Sequence, residues 1–244
     1  MAKKVELFIP CFIDQLYPET AFNTIKVLER VGCEVIYNPE QTCCGQPAYN
    51  AGFWDEAKNV GGKFLTCFSE DNYIVSPSAS CVGMIKSGYN DLFTNSTEHN
   101  TCRSLQRHIF EISDFLVNVL KVENFGAELV GTAVYHDSCS ALRECNIKDE
   151  PRKLLANVGG LELVDMCGQD TCCGFGGSFS VKYEGVSSAM AEQKVKNAQD
   201  VNADYIISTD ASCLLQIQAY IDKHNIPIKT MHLVDVLTSG WANI

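Results

Sequence analysis

The chain has 244 residues, of which 46% are hydrophobic and 20% charged, with 13 cysteines and a formal net charge of −11. That length holds one large domain or two of about 120 residues each. The acidic balance argues against nucleic acid and anionic membrane as partners, because both repel a negative surface.

In chain order, Met1-Ala2-Lys3-Lys4 is basic, and the apolar stretch Val5 to Ile9 reads as a short strand. Glu6 interrupts it and it is too short for a signal sequence, so a cytoplasmic location is expected. Nowhere does an apolar run reach the roughly 18 residues a membrane span needs. A helix opens near Pro18, where proline suits the first turn. Ala21, Ile25 and Leu28 recur along it at helical spacing, and Gly32 is a natural stop. Glu34–Tyr37 reads as a strand, Trp54–Phe68 as a helix, Tyr73–Val75 as a buried strand, and a further helix starts at about Cys81. Residues 90–104 are polar and turn-rich and read as an excursion, followed by a helix over Ile109–Leu120. The glycine-containing stretch before Thr132 reads as a linker. The same sequence of elements then returns. Thr132–Tyr135 is a strand, a helix opens near Pro151 and stops at Gly159-Gly160, and Leu161–Val164 is a strand. Val186–Asn202 is a helix, Tyr205–Ile207 a strand, and another helix begins at about Cys213.

The return is also visible residue by residue. Residues 73–81 (YIVSPSASC) match residues 205–213 (YIISTDASC) at six of nine positions. Cys43-Cys44-Gly45 recurs as Cys172-Cys173-Gly174, Gly32 to Ile36 is echoed at Gly160 to Val164, and Cys11 is echoed by Cys139. Echoes in one order at nearly one offset indicate duplication. Strands alternating with helices indicate an α/β fold with largely parallel sheets. The expectation is therefore two homologous halves, 1–125 and 126–244, related by pseudo-twofold symmetry.

Eight cysteines repeat: Cys11, Cys43, Cys44 and Cys81 in the first half, Cys139, Cys172, Cys173 and Cys213 in the second. Each falls near a strand's C-terminal end or a helix start. In an open parallel sheet those ends converge on one crevice, so four thiols per half can meet. Helix starts and loop N–H groups favour thiolate, the form that binds metal. In a reducing compartment, many cysteines point to metal or redox chemistry more than to disulfides. Structural zinc usually takes cysteines two to four residues apart. Directly adjacent cysteines suit an iron–sulfur cluster better, because neighbours can bind different irons. Zinc stays open as the alternative, and a thiol–disulfide enzyme using an adjacent pair directly is the least favoured third reading. Gly45, Gly174, Gly176 and Gly177 allow backbone N–H groups to approach sulfur. The other five, Cys33, Cys67, Cys102, Cys145 and Cys167, have no repeated counterpart and read as small buried hydrophobes.

The duplicated pattern of a cysteine, a Cys-Cys-Gly triplet and a later cysteine resembles the cysteine-rich "CCG" domain family, which includes a component of heterodisulfide reductase. The motifs that carry the resemblance are Tyr135-His136-Asp137-Ser138-Cys139 and Thr171-Cys172-Cys173-Gly174-Phe175-Gly176-Gly177. The resemblance implies one or two iron–sulfur clusters and a redox subunit with a part in oxidising L-lactate to pyruvate; with four repeated cysteines in each half, 4Fe–4S is the simpler cluster type. It also implies partner subunits, including a ferredoxin-like iron–sulfur protein. One departure stands out. The family closes each half with Cys-x-x-Cys, but here the first of those positions is Ser78 or Asp210. Each can supply an oxygen ligand or cap the helix that follows. Three further residues stand near the motifs. His136 can tune or ligate a cluster or be a satisfied strand-end histidine. His232 sits at an expected strand-to-helix junction. Arg143 can offset cluster charge or form a surface ion pair. No P-loop, Gly-x-Ser-x-Gly elbow or dinucleotide fingerprint is present.

Overall fold

The computed structural model describes residues 3–94 and 96–241. Met1 and Ala2 of the basic opening, and Asn95 of the 90–104 segment, lie outside the described residues. Two four-stranded parallel sheets form the frame. The first contains β1 (Lys4–Leu7), β2 (Glu34–Tyr37), β3 (Tyr73–Ser76) and β4 (Ile109–Glu111), in the order β2-β1-β3-β4. The second contains β5 (Glu128–Tyr135), β6 (Gly159–Val164), β7 (Tyr205–Ser208) and β8 (Lys229–His232), in the order β6-β5-β7-β8. The two orders are the same, as duplication requires.

Side-chain alternation along the strands assigns each sheet two buried faces. Val75 and Ile207 point into a central core, while their neighbours Ile74 and Ile206 point into separate outer cores. The central core draws on both halves and includes Leu28, Phe115, Leu155 and Val234. Its helices meet crosswise. Helix Pro18–Arg30 packs on Leu233–Leu237 of the other half, and Asp149–Leu155 packs on Ile112–Asp114. That exchange of partners is the pseudo-twofold relation. Thr20 and Asn23 donate to the Asp235 carboxylate at 2.8 and 2.9 Å, adding polar ties to the apolar contact.

Helix Pro18–Arg30 starts at its proline, and Gly32, at φ +81°, supplies the left-handed turn after it. Other expectations need correction. Residues 90–104 are no excursion: most of this segment lies in the helices Tyr89–Leu92 and Ser96–His108. The second is polar except on the face carrying Cys102 and Leu105, which is buried, so its apolar stripe is too narrow to stand out in sequence. Ile109–Leu120 is not one helix. Its first three residues form β4 beside β3, and helical turns occupy 112–119. The strand expected at Thr132 begins earlier, at Glu128, with a register irregularity before Gly131. Gly159-Gly160 opens β6, whereas the helix before it ends at Leu155.

Candidate metal centre

Because all strands of a sheet run parallel, their C-terminal ends lie along one edge. Cys11 opens the helix Cys11–Leu16 after β1, and Cys139 opens Cys139–Arg143 after β5. Cys81 and Cys213 lie in the first turns of the helices that follow β3 and β7. The Cys43-Cys44 and Cys172-Cys173 pairs sit in the loops after β2 and β6. The edges of the two sheets face one another across a cavity of about 430 Å³, and all eight repeated cysteines line it. Cys44, Cys81, Cys173 and Cys213 are buried, Cys43, Cys139 and Cys172 are half-buried, and Cys11 is exposed. All thirteen cysteines are free thiols.

Within each half the thiols lie side by side in a row. Cys11 and Cys44 both neighbour Cys43, and Cys44 also neighbours Cys81. The second half repeats this with Cys139, Cys172, Cys173 and Cys213. The Cys11 thiol, then that of Cys44, holds Cys43 well below the usual thiol range. Cys139 and then Cys173 do the same for Cys172. The neighbours move the opposite way. Cys11 and Cys139 are pushed up, first by the adjacent thiolate and then by burial. One thiolate per row is thus stabilised even without metal.

The glycines after each pair are required by the geometry. Gly45 has φ +85° and Gly174 φ +91°. A Cβ at Gly45 would lie 3.0 Å from Ala57 O, and one at Gly174 would lie 2.6 Å from Ser187 O. The Cys-Cys loop is therefore pressed against the longer helix that carries Ala57 or Ser187, and its glycine N–H turns back to sulfur. Gly45 N donates to Cys43 Sγ and Gly174 N to Cys172 Sγ, both at 3.4 Å.

Ser78 and Asp210 differ in role. Ser78 Oγ accepts from Cys81 N at 3.4 Å and caps Ala79–Gly83. Asp210 occupies the same capping position before Ala211–His224, but its side chain makes no cap bond. Its carboxylate instead accepts from Ser80 Oγ of the other half at 2.8 Å and from Ser212 Oγ at 3.3 Å. Burial pushes the Asp210 carboxyl upward, against the pull of the Ser80 bond. Asp210 is therefore a tie across the crevice, between the two thiol rows.

Of the neighbouring candidates, Arg143 is exposed and is not among the residues lining the crevice. His232 ends β8 as expected. Its Nε2–H donates to Pro77 O of the first half at 2.8 Å, and its Nδ1 accepts from Val234 N at 3.2 Å, so it caps a helix and joins the halves. His136 is not a satisfied strand-end histidine. It is 1% exposed, and neither ring nitrogen has a hydrogen-bond partner. Burial, then the Lys194 ammonium, holds it down to about 3, so the ring is neutral. Among the other cysteines, Cys33, Cys102 and Cys145 are buried as expected, but Cys67 is half-buried and Cys167 exposed. Cys67 ends the helix Trp54–Cys67 and packs against the first outer core, whereas Cys167 lies in the turn after β6.

Two residues at this site escaped the sequence reading. Lys194 is fully buried, and its Nζ donates to Gly168 O at 2.5 Å and to Gln169 O at 3.3 Å, anchoring the loop that leads into Cys172. Its signal was a lysine on the stripe of Ala191, Val195 and Ala198, all buried. Arg152 holds the buried Asp137 through two bonds of 2.8 and 2.7 Å. Asp137 is adjacent to His136, so this pair steadies the strand end that presents the ring.

Thiolate rows with N–H donors to sulfur form a donor set suited to thiophilic metal. Comparison with known proteins agrees with the duplication. The cysteine-rich domain family, CCG, matches residues 5–86 and again 133–218. A lactate utilization protein A from Geobacillus sp. (strain WCH70) is 43% identical over 237 residues, which is 97% of this chain and 99% of that protein. One from Halalkalibacterium halodurans is 42% identical, over 96% of each chain. Among solved structures, a hypothetical protein from Helicobacter pylori superposes with a TM-score of 0.66 at 12% identity, over 99% of this chain. The chain spans 50% of that protein's length, and the likeness shows the fold alone.

Proposed function

This chain belongs to the lactate utilization protein A family of paired cysteine-rich domains, and from that premise we propose that it is an iron–sulfur electron-transfer subunit in the oxidation of L-lactate to pyruvate. The observation that carries this reading is the convergence of eight cysteines from both halves on one crevice. Cys11, Cys43, Cys44 and Cys81 would hold one cluster, and Cys139, Cys172, Cys173 and Cys213 a second, with 4Fe–4S the simplest type for four thiolates. A bound cluster supplies a one-electron acceptor whose potential depends on net charge, hydrogen bonds to sulfur and exposure. The chain's own contribution is to set those quantities. Gly45 and Gly174 direct N–H groups at Cys43 and Cys172, and the buried cysteines exclude water from one side of each row. Oxidising lactate to pyruvate releases two electrons and two protons. We place that step, and the uptake of its protons, on partner subunits, among them a ferredoxin-like protein, all in the cytoplasm. No helix among the described residues is long and apolar enough to cross a membrane.

A second reading is zinc. It is favoured by one feature, the close grouping of His136, Cys173 and Cys213, whose donor atoms all lie within 4.8 Å of one another. Purification without oxygen separates the two. Clusters give a brown protein with broad sulfur-to-iron absorbance, several irons per chain and matching acid-labile sulfide. A colourless protein with stoichiometric zinc and no sulfide would refute the redox reading.

A further inference from the structure

Behind the second thiol row stands a side chain with no counterpart behind the first. His136 occupies the position that Phe8 holds in the first half, three residues before the leading cysteine of each row. The backbone there is fixed: His136 N donates to Ile207 O at 2.8 Å, and Ser208 Oγ donates to His136 O at 3.0 Å. The ring is buried with both nitrogens unpartnered. An unpaired buried polar group is costly; the Gln169 backbone lies near the ring but makes no well-formed hydrogen bond to it, so the position favours a further bond.

The geometry identifies that bond. A ring nitrogen of His136, Cys173 Sγ and Cys213 Sγ all lie within 4.8 Å of one another, and all three residues are buried. Among the described residues no other group of His, Cys, Asp or Glu donors is gathered so closely. With metal–sulfur bonds near 2.3 Å and metal–nitrogen bonds near 2.0 Å, a tetrahedral ion sets such donors about 3.6 Å apart. The ring makes no hydrogen bond to either sulfur, so the spacing fits donors around a shared metal. The surrounding groups hold the set in place. Lys194 anchors the loop before Cys172-Cys173 through Gly168 O and Gln169 O, and Asp137 N bonds to the same Gln169 O at 3.0 Å.

We propose that a ring nitrogen of His136 ligates the metal centre held by Cys173 and Cys213. The two halves then hold non-equivalent centres, one ligated by thiolates alone and the other by thiolates and an imidazole. This rests on the metal-binding reading of the same crevice.

The test uses the full chain, produced with isotopically labelled histidine and purified without oxygen. Metals are counted first, and pulsed electron–nuclear double resonance is then recorded on the paramagnetic protein. The wild type is expected to show a strongly coupled histidine nitrogen. That coupling should vanish in His136→Phe, which copies the first half, and in His136→Gln, which keeps a polar group. Either variant suffices if its circular dichroism matches the parent. An iron-loaded wild type without a coupled histidine nitrogen, or a folded variant that keeps the coupling, would overturn the proposal. If the second centre holds zinc, X-ray absorption at the zinc edge reads the same question. A mixed nitrogen and sulfur shell that becomes sulfur-only in the variant supports ligation, and a sulfur-only shell in the wild type overturns it. A protein that retains neither metal overturns the metal-binding reading and this inference with it. The metal count shows that before any spectrum is taken.

Discussion

In the first half the side chains behind the cysteines are Phe8, Phe64 and Phe68, packed edge to face or tilted with centroids 4.6 to 5.7 Å apart. In the second half the equivalent space holds His136 and Lys194. Helix Trp54–Cys67 meets Gly45 through Ala57, and helix Glu184–Gln199 meets Gly174 through Ser187. Seven residues further along each helix come Phe64 and Lys194, both fully buried. Duplication has preserved the thiol row and the glycine that presses its loop onto the helix, while the floor beneath has changed from aromatic to polar. The row needs the backbone path, which both halves share. The floor sets the charge and donors that the metal meets, and those are free to diverge.

The largest effect that would sharpen this comparison is on metal content. Cys44→Ser and Cys173→Ser should each remove the metal of their own half, so that metal per chain falls by roughly half in either variant and nearly to zero in the double variant. Loss of all metal from one single variant would show that the rows form one shared centre. Next comes the floor. Phe64→Ala opens a cavity in an apolar cluster and should cost about 3–5 kcal/mol in urea unfolding, with or without metal. Lys194→Met keeps the volume and should cost no more than about 1–3 kcal/mol in the metal-free protein, mainly from the unpaired Gly168 carbonyl. The cost should rise when metal is bound, because a positive charge beside the thiolates is lost. Equal metal dependence in both variants would break the comparison.

A third contrast concerns the residues that end the last strand of each sheet, Glu111 and His232. Burial pushes Glu111 up to about 8, against hydrogen bonds from Ser113 and Asp114, while the Asp114 charge adds to the rise. Burial lowers His232, which faces Asp235 and Asp210. The signs follow from proton counts. Folded Glu111 holds its proton up to about pH 8, whereas in the unfolded chain it is lost near 4.5, so its contribution to stability falls as pH rises between those values. Folded His232 resists a proton that the unfolded chain takes up near 6.5, so stability falls as pH drops below that point. Glu111→Gln should remove up to about 1.4 kcal/mol per pH unit of the decline between pH 4.5 and 8, read from unfolding midpoints across the pH range. An unchanged profile would contradict this assignment. The smallest effect is expected of Ser80→Ala, which removes one hydrogen bond to Asp210 across the crevice and should cost about 1–2 kcal/mol.

Much of this architecture is legible in the sequence because its signals are local. Cys-Cys-Gly twice, and the nine-residue echo ending at Cys81 and Cys213, identify the duplication and the loops that carry thiols. β4 is missed because three residues between a polar helix and a helical turn have no period of their own. Helix Ser96–His108 is missed because only a narrow stripe including Cys102 and Leu105 enters the core. The floor of the second site is hidden for a different reason. His136 directly follows β5 and Lys194 lies on a helix far along the chain, and only the packing of that helix on the sheet brings them to one place. A lone buried lysine or histidine in sequence does not reveal what it faces.

The central claim is that each half gathers its own metal-binding row. Mössbauer spectroscopy of iron-enriched protein, compared between the wild type and Cys173→Ser, tests it most directly. The account predicts two distinguishable sets of thiolate-bound iron in the wild type, with the second set absent and the first unchanged in the variant. A single set that disappears entirely, or no cluster iron at all, would contradict it.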